Sequence, residues 1–302
     1  MDLTIGLVGC GRWGAVHLRA LQTLKSAGHL RRVVVCDIDT EKLTHIQADA
    51  TYTSLSQMLE HEHLDGAAIV TPPSTHVELA REALKHSLPV LVEKPLALNH
   101  EVANGFLTSL NEKTVLVVGY ILRHHCAIKH LRSPRIHSLL GDLLSVHYQR
   151  QTVRDRPADA EPISTLGVHA LDLIAWLLGQ PLMSGEVVKK SVTADAASVN
   201  LVFPSGHEGS FEVAWAASQE HRLLHVEGAL GQATLDFGTG DIDVINQHGR
   251  ISFQSTGDEA LVEEWKHFLA HLATTNQHIF PSIDRLVDQS AWLHAHGGEQ
   301  LV

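Results

Sequence analysis

The sequence predicts an α/β protein: a doubly wound parallel sheet at the N-terminus, joined to a C-terminal α/β domain built on an open, largely antiparallel sheet. Up to about residue 119, short apolar runs alternate with helical segments. From about Val187 to Phe253, apolar residues recur at every second position, and two helical segments then close the chain. This change of pattern predicts one domain over residues 1–119 and a second over residues 120–302.

The strands of the first domain are predicted from runs of Val, Ile, Leu and Ala that do not alternate with polar residues, as expected of strands covered on both faces. These strands are Leu3–Val8, Arg32–Asp37, Gly66–Val70, Pro89–Val92 and Val115–Gly119. Helices are predicted around them at Trp13–Ala27, Thr40–Ala48, Ser54–His61, Thr75–His86 and His100–Asn111. Strands that alternate with helices of this length indicate right-handed βαβ units and a parallel sheet.

The second domain is predicted from two-residue alternation, as in Val199, Leu201 and Phe203, with turn residues between the runs. This pattern is typical of an antiparallel sheet with one covered face and one polar or partner-facing face. Helices are predicted before and after this region, at Arg123–Leu131, Leu166–Leu178, Glu259–Ala273 and Ser282–His294.

A glycine motif, Gly9-Cys10-Gly11-Arg12-Trp13-Gly14, follows the first strand and opens a helix, which is the context that a dinucleotide-binding G-x-G-x-x-G turn requires. Gly9 permits the tight turn, Gly11 lets the backbone approach a pyrophosphate, and Gly14 lets helix and strand pack closely. The helix N-terminus attracts the phosphates. We therefore predict a Rossmann domain with Arg12 and Trp13 also at the cofactor; an ordinary strand–helix turn is the alternative.

Asp37 ends the second predicted strand, where a carboxylate can accept hydrogen bonds from the ribose hydroxyls of the cofactor. Its charge repels a 2′-phosphate, and no arginine follows it in Ile38-Asp39-Thr40. NAD is therefore predicted over NADP, which remains possible. The alternative is that Asp37 is only a strand-terminal turn residue.

The segment Thr71–His76 follows the strand Gly66–Val70, and its prolines fix a loop at the carboxyl edge of the sheet, where ligands bind in open α/β folds. We predict cofactor contacts from Thr71, Pro72 and His76. A purely structural role, such as capping of the next helix, accounts for these residues equally well.

Lys94 lies in Glu93-Lys94-Pro95, directly after the strand Pro89–Val92, and is predicted to project into the crevice that holds a nicotinamide. The proline restricts its backbone to an extended conformation. Burial beside a cationic nicotinamide would lower the pKa of Lys94 towards that of a base; otherwise its ammonium donates a hydrogen bond to the substrate oxygen. Glu93 is expected beside the same cofactor. A solvated loop lysine is the alternative.

His169 and Asp172 lie three residues apart near the start of an apolar helix and so share one helical face. A histidine there can accept the hydroxyl proton of a carbinol as a hydride leaves the same carbon. Asp172 can orient the ring or hold a substrate hydroxyl. Alternatively, both residues only satisfy backbone groups at the start of the helix.

The net charge of −11 argues against nucleic acid or a membrane as partner, and no apolar run is long enough to span a membrane. Because the glycine motif begins at Gly9, we expect no signal peptide. The three cysteines, Cys10, Cys36 and Cys126, are widely spaced and lack C-x-x-C spacing. We therefore expect reduced thiols and a cytoplasmic protein.

Together and in this order, these segments resemble the Gfo/Idh/MocA family of sugar and polyol oxidoreductases. The matching stretches are GLVGCGRWG, CDIDTEKL, TPPSTH, VEKPLAL, GYILRHHCAIKHLR, GVHALDLIAWLLG and, at the end, EEWKHFLAHLATTNQHIFPSIDRLVDQ. The resemblance implies reversible hydride transfer at a secondary alcohol, with Lys94 in the catalytic site and His169 as the proton-transfer residue. It also implies substrate contacts from Asp172, Tyr120 and Arg123, and a homodimer or homotetramer formed through the exposed sheet face.

The sequence departs from the pattern of many sugar and inositol dehydrogenases of this family at Thr165, where they carry an aspartate four residues before the histidine. A hydroxyl residue there is similar to members that oxidise nucleotide-linked sugars, although Cys126 stands where those have a proline. We therefore expect Thr165 at the substrate, and a substrate among sugar nucleotides or acidic sugars. The loop Gln151–Pro162, which contains arginines, is expected to influence which substrate the protein binds.

Two hypotheses of different classes follow. The first is an NAD(P)-dependent dehydrogenase acting on a small sugar-like or polyol-like molecule, which the presence of both Lys94 and His169 favours. The second is a non-catalytic, cofactor-binding regulatory or partner protein on the same fold, since a fold does not fix a function. An enzyme for a non-sugar substrate, such as a tetrapyrrole or a dihydrodiol, is a third possibility.

Overall fold

The computed structural model of the chain describes residues 2–158, 160–273 and 276–297. The strands, in chain order, are β1 (Thr4–Val8), β2 (Arg32–Cys36), β3 (Ala50–Tyr52), β4 (Gly66–Ile69), β5 (Val90–Glu93), β6 (Val115–Gly119), β7 (Leu143–Gln151), β8 (Glu186–Val192), β9 (Ala196–Val202), β10 (Glu208–Ala214), β11 (His221–Gly228), β12 (Gly231–Asp236), β13 (Asp241–Asn246), β14 (Gly249–Gln254) and β15 (His278–Phe280). The α-helices are α1 (Arg12–Ser26), α2 (Thr40–Leu43), α3 (Leu55–His61), α4 (His76–Lys85), α5 (His100–Leu107), α6 (Cys126–Leu131), α7 (Pro134–Leu140), α8 (Val168–Leu178), α9 (Ala260–His271) and α10 (Ile283–His296).

The chain divides into two compact units. The first contains the residues up to Ile121 and also Leu261–Ser290; the second contains Leu122–Ala260 and the residues from Ala291 onward. The division between Ile121 and Leu122 thus lies close to the boundary that we expected between residues 119 and 120. The segment Leu261–Ser290, which we expected in the second domain, belongs to the first unit.

The first unit is built on a seven-stranded sheet in the order β15-β6-β5-β4-β1-β2-β3, and every pair of neighbouring strands in it is parallel. All five strands predicted for this region are confirmed, with ends that shift by at most one residue. The sequence did not predict β3 and β15, because each has only three residues and lies at an edge of the sheet. Helix α2 ends at Leu43, well before the expected Ala48.

Helix α9 belongs to the first unit because its apolar face completes that unit's core. Trp265 and Phe268 are fully buried and pack in one cluster with Ile5, Leu7 and Leu21. Strand β15 then pairs with β6, His278 opposite Val115. Neither contact follows from the local sequence pattern of the closing segment, Leu261–Ser290. The predicted domain division therefore differs from the observed one in this segment.

The second unit contains an eight-stranded sheet in the order β14-β13-β12-β11-β7-β10-β9-β8. Its neighbouring strands are antiparallel except for β7 and β10, which are parallel. Side chains along these strands alternate between a buried face and a more exposed one, as predicted, and α8 packs against β7 and β10. The open, largely antiparallel sheet is thereby confirmed.

The features of the second unit that were not predicted include a strand, a short helix and a π-helical turn. Strand β7 has mixed polarity, and α7 is a short helix that begins with the N-cap Ser133 and Pro134 at its first position. The helix predicted at Leu166–Leu178 is α8, preceded by a π-helical turn at Ile163–Gly167.

Along the described ranges of the chain, no helix combines the length and the hydropathy needed to cross a membrane.

Candidate functional site

The glycine motif forms the turn between β1 and α1. Gly9 has a φ of +100°, and a Cβ at this position would collide with the carbonyl oxygen of Val70. A Cβ at Gly14 would collide with the carbonyl oxygen of Gly9. At Gly11, by contrast, a Cβ would meet no atom within 4 Å. Two of the glycines are therefore required by the turn itself, and the third borders open space that a ligand can approach.

The N-terminus of α1 faces this open space. Gly11 is the N-cap, and among the described residues no side chain caps the helix by a hydrogen bond. The first turn contains no acidic residue, and the side chain of Arg12 is exposed. Uncapped backbone N–H groups and the positive end of the helix dipole favour an anion such as a pyrophosphate. The residues of this turn fit a dinucleotide.

Asp37 lies directly after β2 and is almost fully buried. Its Oδ2 accepts a hydrogen bond of 2.7 Å from the Cys10 backbone N–H, and its Oδ1 accepts one of 2.9 Å from Asp39 N–H. The carboxylate therefore connects the glycine turn to the end of β2. Lys42 Nζ lies 3.6 Å from Asp37 Oδ1 and the same distance from Asp39 Oδ2, a cation beside the expected ribose site that our sequence analysis did not identify.

The three cysteines are free thiols, as expected. Cys10, in the glycine turn, is half-buried, and burial, with the nearby Asp37 charge, raises the pKa of its thiol to about 12. Burial and the neighbouring Cys10 raise the pKa of Cys36 to about 12 as well. Both therefore pack as neutral side chains at neutral pH.

The loop Thr71–His76 begins at the carboxyl end of β4. The hydroxyl groups of Thr71 and Thr75 form a hydrogen bond of 2.7 Å. The Thr75 hydroxyl also donates a hydrogen bond of 2.8 Å to the Pro72 carbonyl oxygen. The buried His76 ring lies between the carbonyl oxygens of Thr71, 2.7 Å from Nε2, and Pro95, 2.9 Å from Nδ1. His76 thus joins the loops after β4 and β5, whereas Pro72 is exposed.

Glu93 is a buried carboxylate that organises the carboxyl edge of the sheet. Its Oε1 accepts hydrogen bonds from Trp13 Nε1 at 2.6 Å and His17 Nε2 at 3.0 Å, and its Oε2 accepts one from Lys94 N–H at 3.0 Å. Burial raises the pKa of Glu93, but the hydrogen bonds and charges of His17 and Lys94, with the Trp13 hydrogen bond, outweigh it and hold the pKa below its ordinary value. Glu93 is therefore ionised.

A second carboxyl group, that of Glu264 on α9, is fully buried in the same unit. Neither of its oxygens has a hydrogen-bond partner in the described part of the chain. Burial, together with the charge of Glu93, raises the pKa of Glu264 well above its ordinary value. The surroundings of the two groups therefore favour the ionised form of Glu93 and the protonated form of Glu264.

Lys94 is half-buried directly after β5, and its peptide bond to Pro95 is cis. It lies in the first unit together with the glycine turn, Asp37 and the Thr71–His76 loop. These residues follow the carboxyl ends of β1, β2, β4 and β5, which are neighbours in the sheet. The structure therefore gathers the predicted cofactor residues at one edge, where ligands bind in folds of this type.

His169 lies in the second unit, half-buried in the first turn of α8. The π-helical turn immediately before it contains Thr165, whose hydroxyl donates to the Glu161 carbonyl. Such π-turns are frequent at functional sites. Since Lys94 and His169 belong to different units, their convergence beside a nicotinamide stays a prediction.

Arg123 and Asp172, both expected to contact substrate, are buried and form an ion pair with each other. Arg123 Nη2 lies 2.6 Å from Asp172 Oδ1, and Arg123 Nε lies 2.8 Å from Oδ2. The guanidinium also lies over the ring of Trp176, 4.7 Å from its centroid. In this arrangement the pair holds the start of α8 against the segment that precedes α6.

Tyr120 lies in the first unit, buried, and its hydroxyl donates a hydrogen bond to Gln289 Oε1 on α10. Its expected contact with substrate therefore stays a prediction. The arginines of the loop Gln151–Pro162 also have protein partners: Arg156 Nε lies 3.1 Å from Asp195 Oδ1, and Arg154 Nε donates to the Thr152 hydroxyl at 3.1 Å.

Sequence reasoning identified the residues of the cofactor edge but missed the ones that support them, namely His17, Lys42 and Glu264. His17 had a detectable signal, because it lies one helical turn after Trp13 and so shares its face. Glu264 had none, since an acidic residue on a helix is ordinarily exposed.

Two family models match the chain. Residues 3–120 match one described as an oxidoreductase family with an NAD-binding Rossmann fold, and residues 128–234 match one described as the GFO/IDH/MocA C-terminal domain. These segments correspond to most of the first unit and to more than half of the second.

Proteins of named activity are similar in sequence to about two thirds of the chain. An inositol 2-dehydrogenase of Burkholderia multivorans is 30% identical over 208 residues, which make up 66% of this chain and 61% of that protein. The match thus spans less than two thirds of that relative's length.

Solved structures match nearly the full length. The UDP-N-acetylglucosamine 3-dehydrogenase GnnA from Acidithiobacillus ferrooxidans has a TM-score of 0.79 at 22% identity, over 98% of this chain and 97% of that one. A levoglucosan dehydrogenase in complex with NADH and levoglucosan has a TM-score of 0.80 at 16% identity, over the same shares. At such identities these similarities show the shared fold.

Proposed function

The chain belongs to the Gfo/Idh/MocA family of oxidoreductases, and from this premise we propose that it is an NAD-dependent dehydrogenase or reductase acting on a CH–OH group of a sugar-like or polyol-like molecule. The observation that carries the proposal is the edge of the first unit. There an uncapped helix N-terminus, the open side of Gly11 and the carboxylate of Asp37 lie on the same edge of the sheet as Glu93 and Lys94.

The residues of this edge would hold the cofactor in distinct ways. The backbone N–H groups at the start of α1 and the Arg12 guanidinium would bind the pyrophosphate, and Asp37 would accept hydrogen bonds from the ribose. The Asp37 charge favours NAD. NADP stays possible because Lys42 lies beside Asp37 and could meet a 2′-phosphate. His76 and Glu93 would act as positioning residues, because each joins two of the loops that line the edge.

When bound, NAD would supply hydride transfer to or from the carbinol carbon of the substrate. In the oxidation direction, the hydroxyl of the substrate must lose its proton as that carbon–hydrogen bond breaks. We assign proton acceptance to His169 and hydrogen bonding at the reacting oxygen to Lys94. The buried Arg123–Asp172 pair would position the start of α8, and hence His169, rather than act on the proton.

The substrate class follows from the relatives. Their names specify inositol, levoglucosan and UDP-N-acetylglucosamine, all molecules with secondary alcohols. Thr165 in place of a common aspartate favours a sugar nucleotide or an acidic sugar for this chain. We also propose a homodimer or homotetramer formed through the exposed face of the second unit's sheet, while the cytoplasmic location stays a prediction.

The test is to measure NADH formation, or its consumption, with a panel of inositols, sugars, acidic sugars and sugar nucleotides, together with the NADH dissociation constant. Lys94→Ala and His169→Ala should each lower kcat by about 100- to 10,000-fold, the usual contribution of a positioned acid or base. NADH binding should change little. The matched controls Lys85→Ala and His86→Ala replace exposed residues of the same types at the end of α4 and should keep full activity.

Full turnover in both site variants would overturn the assigned roles. Tight NADH binding without turnover of any substrate in the panel would instead favour the non-catalytic, cofactor-binding regulator as the function of this chain.

A further inference from the structure

Three histidines of the first unit lie together away from the cofactor edge. His267 and His271 are one helical turn apart on α9, and His278 is the first residue of β15. One potential ligand nitrogen from each ring lies within 4.8 Å of those of the other two, and all three side chains are half-buried. Each ring is therefore partly enclosed by protein and still reachable by a small ion from solvent.

The distances fit a metal centre. Nε2 of His267 and Nε2 of His278 are 3.2 Å apart. In a tetrahedral zinc site with Zn–N bonds of about 2.0–2.1 Å, two ligand nitrogens lie about 3.3 Å apart. Two nitrogen lone pairs this close repel each other unless a proton or a cation lies between them. The observed spacing therefore requires either an N–H···N hydrogen bond or a shared metal ion.

The tautomer of His271 is the one that a metal ligand needs. Its Nδ1 lies 2.7 Å from the backbone carbonyl oxygen of His267. A carbonyl oxygen only accepts hydrogen bonds, so Nδ1 carries the proton and Nε2 keeps its lone pair. Metal-binding histidines commonly donate their second ring nitrogen to a carbonyl in this way, which fixes the ring and increases its basicity.

From this arrangement we propose that His267, His271 and His278 form a site for a divalent transition metal that prefers imidazole ligands, Zn²⁺ in the first instance. Three histidines leave a fourth position for water. The rings of His271 and His278 are stacked 3.5 Å apart and nearly parallel. Because a metal lies in the plane of each imidazole that it binds, one of these rings must tilt when the ion enters.

The site is separate from the proposed cofactor edge. His278 pairs with Val115 at the start of β6, whereas Glu93 pairs with Gly119 at its end. The ion would join α9 to the edge strand β15 and so fasten the closing segment to the first unit. We therefore assign it a stabilising role, and the proposal does not depend on the proposed dehydrogenase activity.

The experiment uses the full chain, freed of any affinity tag and dialysed against a chelator. Zn²⁺ is titrated in competition with a chromophoric chelator, and Co²⁺ is added separately for its visible absorption. Wild type should bind one Zn²⁺ per chain, and Co²⁺ should give the intense bands of a low-coordinate nitrogen site. Zn²⁺ should also raise the midpoint of thermal unfolding.

His271→Gln and His278→Gln should each weaken Zn²⁺ binding by about 10- to 100-fold or more, since even loss of an outer-shell partner costs this much. They should also abolish the Co²⁺ bands and the thermal shift, with NADH affinity unchanged. The control His63→Gln, at an exposed histidine of the same unit, should bind as wild type. If wild type forms no one-to-one complex, or if both cluster variants bind as tightly as wild type, the cluster is only hydrogen-bonded and the proposal fails.

Discussion

At the scale of single residues, the buried carboxyl groups of Glu93 and Glu264 in the first unit have pKa values shifted in opposite directions. Glu93 has three hydrogen-bond donors, from Trp13, His17 and its own neighbour Lys94. Glu264 has no hydrogen-bond partner within the described ranges. Ionised groups tolerate burial only when they are paired and hydrogen-bonded. The difference in hydrogen bonding therefore decides which of the two carries the charge.

Glu264 gives a prediction for stability against pH. Its pKa is raised in the folded state, so its contribution is fully present below the ordinary pKa of about 4.5 and is lost as pH rises towards the folded value. Glutamine does not titrate, so the Glu264→Gln variant lacks this pH-dependent loss of stability. The free energy of unfolding of wild type relative to Glu264→Gln should therefore fall from pH 5 to pH 8, by up to about 1.4 kcal/mol per pH unit.

Denaturant unfolding at several pH values measures this difference. Glu263→Gln, at the neighbouring and partly exposed carboxylate that pairs with Lys266, should follow wild type at every pH. Parallel profiles for wild type and Glu264→Gln would show that Glu264 is not held neutral in the folded protein.

Asp37 gives a prediction for cofactor choice. Asp37→Asn keeps one acceptor oxygen but removes the charge, and hydrogen bonds to charged groups contribute about 1.5–3 kcal/mol. NADH should therefore bind about tenfold or more weakly, while NADPH, no longer repelled, should bind better relative to NADH. Fluorescence titration of both cofactors gives the ratio. Asp39→Asn preserves the N-cap of α2 and should change neither affinity appreciably; an unchanged ratio in Asp37→Asn would exclude Asp37 from the ribose site.

At the scale of elements, the β1–α1 connection separates the demands of folding from those of binding. Gly9 and Gly14 are needed because a side chain at either would strike a backbone oxygen. Gly11 has a φ of −68°, which any residue adopts, and space around it. Folding therefore does not require a glycine at position 11, whereas a ligand that approaches the backbone closely does.

This difference predicts opposite behaviour for two similar variants. Gly14→Ala should destabilise the protein by about 1–3 kcal/mol, because α1 must shift away from β1. Gly11→Ala should change stability by no more than about 1 kcal/mol, since alanine restricts the unfolded chain but is a poorer N-cap residue than glycine. The same variant should weaken NADH binding by about tenfold or more, equivalent to about 1.4 kcal/mol.

Thermal unfolding and NADH titration on both variants provide the measurement. Each variant is the control for the other, because they differ only in which glycine of the turn receives the methyl group. Gly11→Ala with wild-type NADH affinity would mean that no dinucleotide approaches this turn.

At the scale of the whole molecule, the sheet of the second unit has one buried face and, within the described ranges, one more exposed face. Along this face the side chains are mostly polar and partly exposed, and His147 and His225 stack there 6.1 Å apart. An extended sheet face of this kind suits a two-fold interface, in which each copy presents the same surface. This is the basis of the proposed homodimer.

The dimer can be tested at Glu212, which is exposed near the middle of β10. Glu212→Arg introduces the change twice in a symmetric interface, so the oligomer should dissociate at concentrations where wild type stays assembled. Glu101→Arg makes the same charge change on the exposed face of α5 and should not affect assembly. Sedimentation velocity distinguishes the two, and an unchanged oligomer in Glu212→Arg would place the interface elsewhere.

Taken alone, the sequence determined the features that depend on local pattern. Buried parallel strands appear as continuous apolar runs, half-covered strands as alternation, and the glycine turn as three glycines between a strand and a helix. These signals were sufficient to predict the two sheets and the positions of Gly9, Asp37 and Lys94 at the ends of strands. The family resemblance supported the roles of Lys94 and His169, for which the local pattern had left structural alternatives open.

Only the tertiary structure decided what depends on contacts between distant segments. It paired β15 with β6 and buried Trp265 in the first unit, although the closing segment has an ordinary helical pattern. It also joined Arg123 to Asp172 and isolated Glu264 from hydrogen-bond partners among the described residues. The physical reason is that burial and charge pairing are set by neighbours in space, and one sequence window contains only neighbours along the chain.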